Sequence, residues 1–134
     1  MVGAIIITHG RLASALLEAA ENIAGRAEGV RPLSVKDGGT AEEIMGMVRA
    51  ALKEVDSGGG VIIFTDMFGG TPTNIALSLL KEGRTEIITG VNLPLVIKFL
   101  NWRDGVDIST LASRLLEHGR KSIVLASEML KGER

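Results

Sequence analysis

The strongest constraint on this chain is an alternation. Short apolar runs rich in β-branched residues, Ala4 to Thr8, Val30 to Val35, Val61 to Thr65 and Thr85 to Thr89, are separated by stretches whose apolar positions recur at helical spacing. Leu12, Leu16, Leu17, Ala20, Ile23 and Ala24 make the first such stripe, Ile44, Val48, Leu52 and Val55 the second, and Ile75, Ala76, Leu79 and Leu80 the third. Parallel strands cannot be joined by a tight turn and need a crossover, most often a helix. The pattern therefore specifies βαβ units and an α/β fold with a parallel sheet. At 134 residues the chain has the length of one domain, 1–134.

Turn and cap residues punctuate these elements. Gly25 closes the first helix, Pro32 sends the second strand toward an edge, Lys36 to Gly39 reads as a loop, and Thr40 with Glu43 spells a capping box. Val61 to Thr65 is apolar without alternation, as a strand covered on both faces is, and takes the central position. Pro72 suits a first helical position. Pro94 opens an almost wholly apolar short helix through Leu100, which must be buried in the domain or at a subunit contact. Ile108, Leu111, Ala112, Leu115 and Leu116 give a further amphipathic helix, and Ser122 to Ala126 reads as a last strand before a charged tail.

Composition removes several function classes. With no cysteine there are no disulfides, no zinc-thiolate sites and no thiol catalysis. An aromatic share of 3% argues against base-stacking platforms, and a net charge of -1 gives no general attraction to nucleic acid or anionic membrane. The apolar opening is too short for a signal peptide and has no basic segment before it, and no run approaches the ~20 apolar residues of a membrane span. A cytoplasmic protein is compatible with this.

The chemistry-bearing residues sit at strand ends. His9 follows the apolar run Val2 to Ile7 with only Thr8 between, and Asp66-Met67-Phe68-Gly69-Gly70-Thr71-Pro72-Thr73-Asn74 follows the central strand. Open α/β sheets bind ligands at the carboxyl ends of their strands. If the first and third strands are neighbours, His9 and Asp66 reach the same edge. A carboxylate accepting one ring N–H would fix the tautomer, aim the bare nitrogen outward, and stabilise the charge that develops when that nitrogen attacks phosphorus. Gly69, Gly70 and a helix start with Thr71 as N-cap would present N–H groups to a phosphoryl group, and Gly10 with the helix after it offers a second set. Such a scheme requires neither metal nor cofactor.

Each residue also has a plainer reading. A histidine at a strand end is often a loop or capping residue, Asp66 could serve a turn, and the Gly69-Gly70 pair a tight bend. His118, in the last turn of a helix, complements the helix dipole and reads as structural. Met67 reads as packing, or as exposed beside the site, and Arg11 as a solvated helix-start residue unless it meets an acidic partner surface or the phosphoryl group.

Taken together, Thr8-His9-Gly10, the Asp66 to Asn74 block and Gly90-Val91-Asn92-Leu93-Pro94 resemble the IIA component of the mannose/fructose/sorbose class of the bacterial phosphoenolpyruvate-dependent sugar phosphotransferase system. The resemblance implies a mainly parallel open sheet with helices on both faces, whose last strand is antiparallel and exchanged in a homodimer. Ser122 to Ala126 matches that strand by position only. It implies catalytic roles for His9 and Asp66, with the phosphocarrier HPr as phosphoryl donor and a histidine of a IIB component as acceptor. Phosphate contacts fall on Gly10, Phe68, Gly69, Gly70 and Thr71, and partner contacts on Arg11, Met67 and Phe68. Many members are fused to a IIB domain; this chain stops at Arg134, so its acceptor is expected to be a separate polypeptide. The position of Phe68 is often tryptophan in that family.

Three other readings compete. A receiver domain phosphorylated at Asp66 would need an acidic pair after the first strand, where this chain has Thr8-His9-Gly10. The phosphotransfer subunit of dihydroxyacetone kinase is similar in fold and histidine but differs after the aspartate. A regulatory or sensing module of the IIA fold is the third, and no nucleotide-binding glycine motif supports a nucleotide ligand for it.

Overall fold

The computed structural model describes residues 1–35, 39–67, 69–80 and 84–132. Four strands, β1 (Gly3–His9), β2 (Val30–Val35), β3 (Val61–Thr65) and β4 (Thr85–Thr89), form one parallel sheet in the order β2-β1-β3-β4. Helices α1 (Leu12–Ala24), α2 (Ala41–Val55) and α3 (Thr71–Leu79) are the crossovers, and α4 (Leu93–Trp102), α5 (Ile108–Lys121) and α6 (Ala126–Gly132) follow β4. Every expected strand of the βαβ run is present. The second strand, with Pro32, lies at an edge, and the unbroken apolar run of β3 lies inside. The expected loop at Lys36 to Gly39 falls, for 36–38, outside the described residues.

The period-two alternation of strand side chains divides the core in two. Ala4 and Ile6 of β1 and Ile62 and Phe64 of β3 pack with Ala13, Leu17 and Ala20 of α1, Leu95, Val96 and Phe99 of α4, and Leu111 and Leu115 of α5. Ile5, Ile7, Val61 and Ile63 face the other way, against Ile44, Val48, Ala51 and Val55 of α2 and Ile75, Ala76 and Leu79 of α3. Each fully buried isoleucine of this sheet contributes roughly 1.5–3 kcal/mol by leaving water. The two largest side chains of the first cluster, Phe64 and Phe99, meet edge to face with ring centres 5.5 Å apart. Arg103, 6% exposed, reaches from the end of α4 to donate from Nη2 to the Glu28 carbonyl at 2.6 Å.

The expected cap at Thr40 forms, and Asn92 and Asp107, for which no such role was expected, cap α4 and α5. Thr40 accepts the Glu43 N–H at 3.1 Å, Asn92 that of Leu95 at 3.0 Å, and Asp107 that of Thr110 at 2.9 Å. Some stripe positions prove exposed. In α1 the buried line is Ala13, Leu17 and Ala20, which leaves Leu12 and Ile23 outside near its two ends. Leu80 and Leu116 are each 40% exposed because both border the open edge of β4, where a groove of about 360 Å³ runs between α3 and α5.

The expected last strand is not formed. Ser122 ends α5, its hydroxyl donating to the His118 carbonyl at 2.7 Å, and Ala126 already belongs to α6. Between them Ile123, Val124 and Leu125 are 79%, 55% and 63% exposed. β-branched composition yields a strand only where a neighbouring edge takes up its backbone groups, and within this one chain the segment pairs with no edge among the described residues.

Candidate functional site

The order β2-β1-β3-β4 reverses direction between β1 and β3: the chain leaves β1 toward β2 and returns across it to β3. The crevice beyond the carboxyl ends of such a pair is where doubly wound folds bind ligands. Ile7 pairs with Thr65 in the register of β1 and β3, so Asp66, one residue past Thr65, and His9, two past Ile7, emerge at the same end of the sheet.

They are bonded twice. Asp66 Oδ2 accepts the backbone N–H of His9 at 2.9 Å and lies 2.8 Å from His9 Nδ1, while Oδ1 accepts the Met67 N–H at 2.9 Å. Burial pushes the Asp66 carboxyl up, but the bonds from the His9 backbone and ring, the His9 charge and the Met67 N–H together outweigh it, and the pKa lies below its ordinary 3.8. An ionised carboxylate can only accept, so Nδ1 is the donor and carries the hydrogen. In the neutral ring Nε2 is then the nitrogen with a free lone pair. The carboxylate is largely covered at 13% exposure, whereas the imidazole is 51% exposed. The base that orients is sheltered and the group that would react is open.

The flanking turns explain why these residues are glycine or hydroxyl-bearing. Gly10 turns the chain from β1 into α1 at φ +56° and Gly69 turns the Asp66 loop at φ +85°, a region that side chains with a Cβ rarely enter. Gly70 has ordinary dihedrals and is small for another reason: a Cβ there would lie 3.2 Å from Cε1 of the His9 ring. The Gly70 carbonyl takes the first bond of α3, from Asn74 N–H, so Gly70 is the N-cap and Thr71 the first helical residue. This corrects the expectation of Thr71 as cap. No side chain caps α3 among the described residues, and its N-cap, Gly70, lies against the His9 ring.

Other expected residues are placed as follows. Thr71 and Arg11 are exposed, Arg11 at the N-cap of α1, and Met67 is 56% exposed beside the site. Phe68 lies outside the described residues. His118 stands apart from the site, its ring 5.5 Å from that of Trp102.

Sequence reasoning missed the hydroxyls that brace the site. Thr8 accepts the Ala13 N–H at 2.8 Å and holds the start of α1, Ser34 donates to the Gly10 carbonyl at 2.5 Å, and Thr65 and Thr73 sit behind the Asp66 loop. A buried threonine at a strand end was the available signal for two of them, since a buried hydroxyl needs a partner. Among the described residues no group of three or more His, Asp or Glu is arranged to hold a metal ion, and no helix is long and apolar enough to cross a membrane.

Comparison with known proteins gives the family of the chain. The family model for the PTS system fructose IIA component, EIIA-man, matches residues 3–116. The fructose-specific EIIA component of the phosphotransferase system of Bacillus subtilis is 30% identical over 132 residues, covering 98% of this chain and 90% of that protein. The mannose-specific EIIAB component of Escherichia coli is 32% identical over 124 residues, or 91% of this chain, which spans 38% of the length of that relative. A PTS IIA protein associated with the fucose utilization operon of Streptococcus pneumoniae superposes with a TM-score of 0.87 at 28% identity, covering 96% of each chain. The EIIA component from Streptococcus agalactiae shares the fold, with a TM-score of 0.88 at 23% identity over 96% of this chain and 99% of that one. The chain belongs to the EIIA-man family, the IIA components of the mannose/fructose/sorbose class of the phosphoenolpyruvate-dependent sugar phosphotransferase system.

Proposed function

We propose that this chain is a cytoplasmic phosphocarrier in which Nε2 of His9 accepts a phosphoryl group from phospho-HPr and hands it to a histidine of a IIB component. The observation that carries the reading is the 2.8 Å contact between Nδ1 of His9 and Asp66 Oδ2, on a ring that is half exposed. The lone pair on Nε2 forms the new N–P bond as the bond to the donor imidazole breaks. Nδ1 keeps its hydrogen throughout, and the Asp66 carboxylate balances the positive charge the ring acquires. Gly10, Gly69, Gly70 and Thr71 supply the phosphate cradle, since phosphoryl transfer needs chiefly positioning and charge stabilisation. The exposed Arg11 and Met67 lie where a docking partner would touch.

Incubation with phosphoenolpyruvate, enzyme I and HPr, followed by peptide mapping, tests this. The expected product is one phosphoryl group on His9, stable in base and lost in acid, and absent from a folded His9→Ala variant. A hydroxylamine-sensitive label on Asp66 would overturn the reading in favour of a receiver-like acyl phosphate.

The partner reading includes a second copy of the chain. Among the described residues β4 ends the sheet with an open edge flanked by Leu77, Leu80 and Leu116, each 39% to 40% exposed, and Ile123, Val124 and Leu125 are exposed in a segment paired with no strand. Addition of Ser122 to Ala126 from one copy, antiparallel, to β4 of the other would cover both surfaces. Light scattering is expected to give a dimer for the full chain and a monomer for Val124→Pro; a wild-type monomer at tens of micromolar would exclude the exchange.

A further inference from the structure

Behind the loop that carries Asp66 stand two fully buried hydroxyls, Thr65 at the end of β3 and Thr73 in the first turn of α3. Their oxygens are 2.6 Å apart, and Thr73 Oγ1 donates to the Met67 carbonyl at 2.6 Å. A hydroxyl has a single hydrogen. With that of Thr73 spent on Met67, the bond between the two threonines must run from Thr65 to Thr73. The result is a directed chain, Thr65 to Thr73 to Met67, in which each bond polarises the next in a dry setting.

Met67 is the residue whose N–H holds Oδ1 of Asp66 at 2.9 Å. Its two backbone polar groups are therefore both committed, the N–H to the carboxylate and the carbonyl to Thr73. Asp66 in turn holds the His9 ring. A line of contacts leads from the interior hydroxyl of Thr73 to an imidazole that it does not touch.

We propose that Thr73 is a positioning residue for phosphoryl transfer at His9: its hydroxyl pins Met67, Met67 pins the carboxylate, and the carboxylate aims the ring. This rests on the phosphocarrier reading, and it assigns the aiming of His9 to the interior of α3 as well as to Asp66. Loss of the Thr73 hydroxyl leaves the Met67 carbonyl without its donor and frees the backbone torsions at the Met67 Cα, which is shared with the neighbouring peptide whose N–H holds Asp66 Oδ1. That bond, and with it the placing of the carboxylate against the ring, is then less well fixed.

The test compares wild type with Thr73→Val, which keeps the shape and deletes the hydroxyl, and with Thr73→Ser, which restores it. Two readouts are taken: transfer from phospho-HPr, split into kcat and KM, and nitrogen-15 NMR of the His9 ring, in which the Nδ1–H signal reports the bond to Asp66. Thr73→Val is expected to lose about tenfold in kcat, equivalent to about 1.4 kcal/mol of barrier, with KM nearly unchanged and the Nδ1–H signal broadened by exchange. Thr73→Ser is expected to recover both. Wild-type kcat with a wild-type ring signal in folded Thr73→Val overturns the proposal. If that variant does not fold, Thr65→Val removes the first hydroxyl of the chain and is judged by the same two outcomes. A wild-type chain that takes no phosphoryl group overturns the phosphocarrier reading itself, and the ring signal of Thr73→Val against wild type then decides separately whether Thr73 sets His9.

Discussion

One oxygen of Asp66 binds His9 at two points, accepting its backbone N–H at 2.9 Å and its ring Nδ1–H at 2.8 Å. The first bond ties the end of β1 to the residue that follows β3, and the second holds the ring on the same carboxylate oxygen. One carboxylate oxygen thus ties the ends of two neighbouring strands together and orients the imidazole.

Asp66→Asn is therefore expected to lower phosphoryl transfer by roughly a hundredfold to ten-thousandfold while the chain remains folded. The amide can still accept through its oxygen, but it carries no charge to offset the imidazolium-like ring. Rapid-quench measurement of transfer from phospho-HPr checks this, and a loss of less than about threefold would contradict the orienting role.

The lowered pKa of Asp66 has a consequence for acid stability. A carboxyl whose folded pKa lies below the unfolded one, about 3.9, contributes stability that is fully present above that value and is lost as pH falls through the folded pKa. The stability advantage of wild type over Asp66→Asn should hold from neutral pH to about 5 and shrink below about 4. Thermal melts of both proteins across that range measure it; a difference that does not change with pH would contradict the linkage.

Gly70→Ala should act on the ring rather than on the backbone. The dihedrals of Gly70, φ −80° and ψ 168°, suit alanine, but the added Cβ would stand 3.2 Å from His9 Cε1 and 3.4 Å from Met67 Cγ. Transfer is expected to fall about tenfold with unfolding free energy changed by no more than about 1 kcal/mol. Parallel kinetics and urea titration separate the two effects.

Thr40→Ala provides a contrast at the far end of the scale. Its hydroxyl caps α2 by accepting the Glu43 N–H at 3.1 Å and contacts nothing at the site. A loss of about 1 kcal/mol in stability is expected, with transfer rates at wild-type level. Urea midpoints and single-turnover rates on the same preparation test both halves.

Local chemistry was enough to read the four parallel strands, the helices from α1 to α5 and the residues of the candidate site. Ile5, Ile6 and Ile7 favour a strand through their β-branched side chains, Pro32 marks an edge, Thr40 starts a helix through atoms only a few bonds away, and His9 and Asp66 stand at strand ends because the apolar runs stop just before them. Three features were decided only by the folded chain, because each depends on groups distant in sequence. The carboxylate of Asp66 meets two N–H groups of His9 across 57 positions of chain, which spacing cannot report. The Thr65 and Thr73 hydroxyls become a directed relay only when α3 docks on β3 and water is gone. Ile123, Val124 and Leu125 have the composition of a strand and form none within the single chain, because a strand is a relation to a neighbouring edge and composition supplies only one side of it.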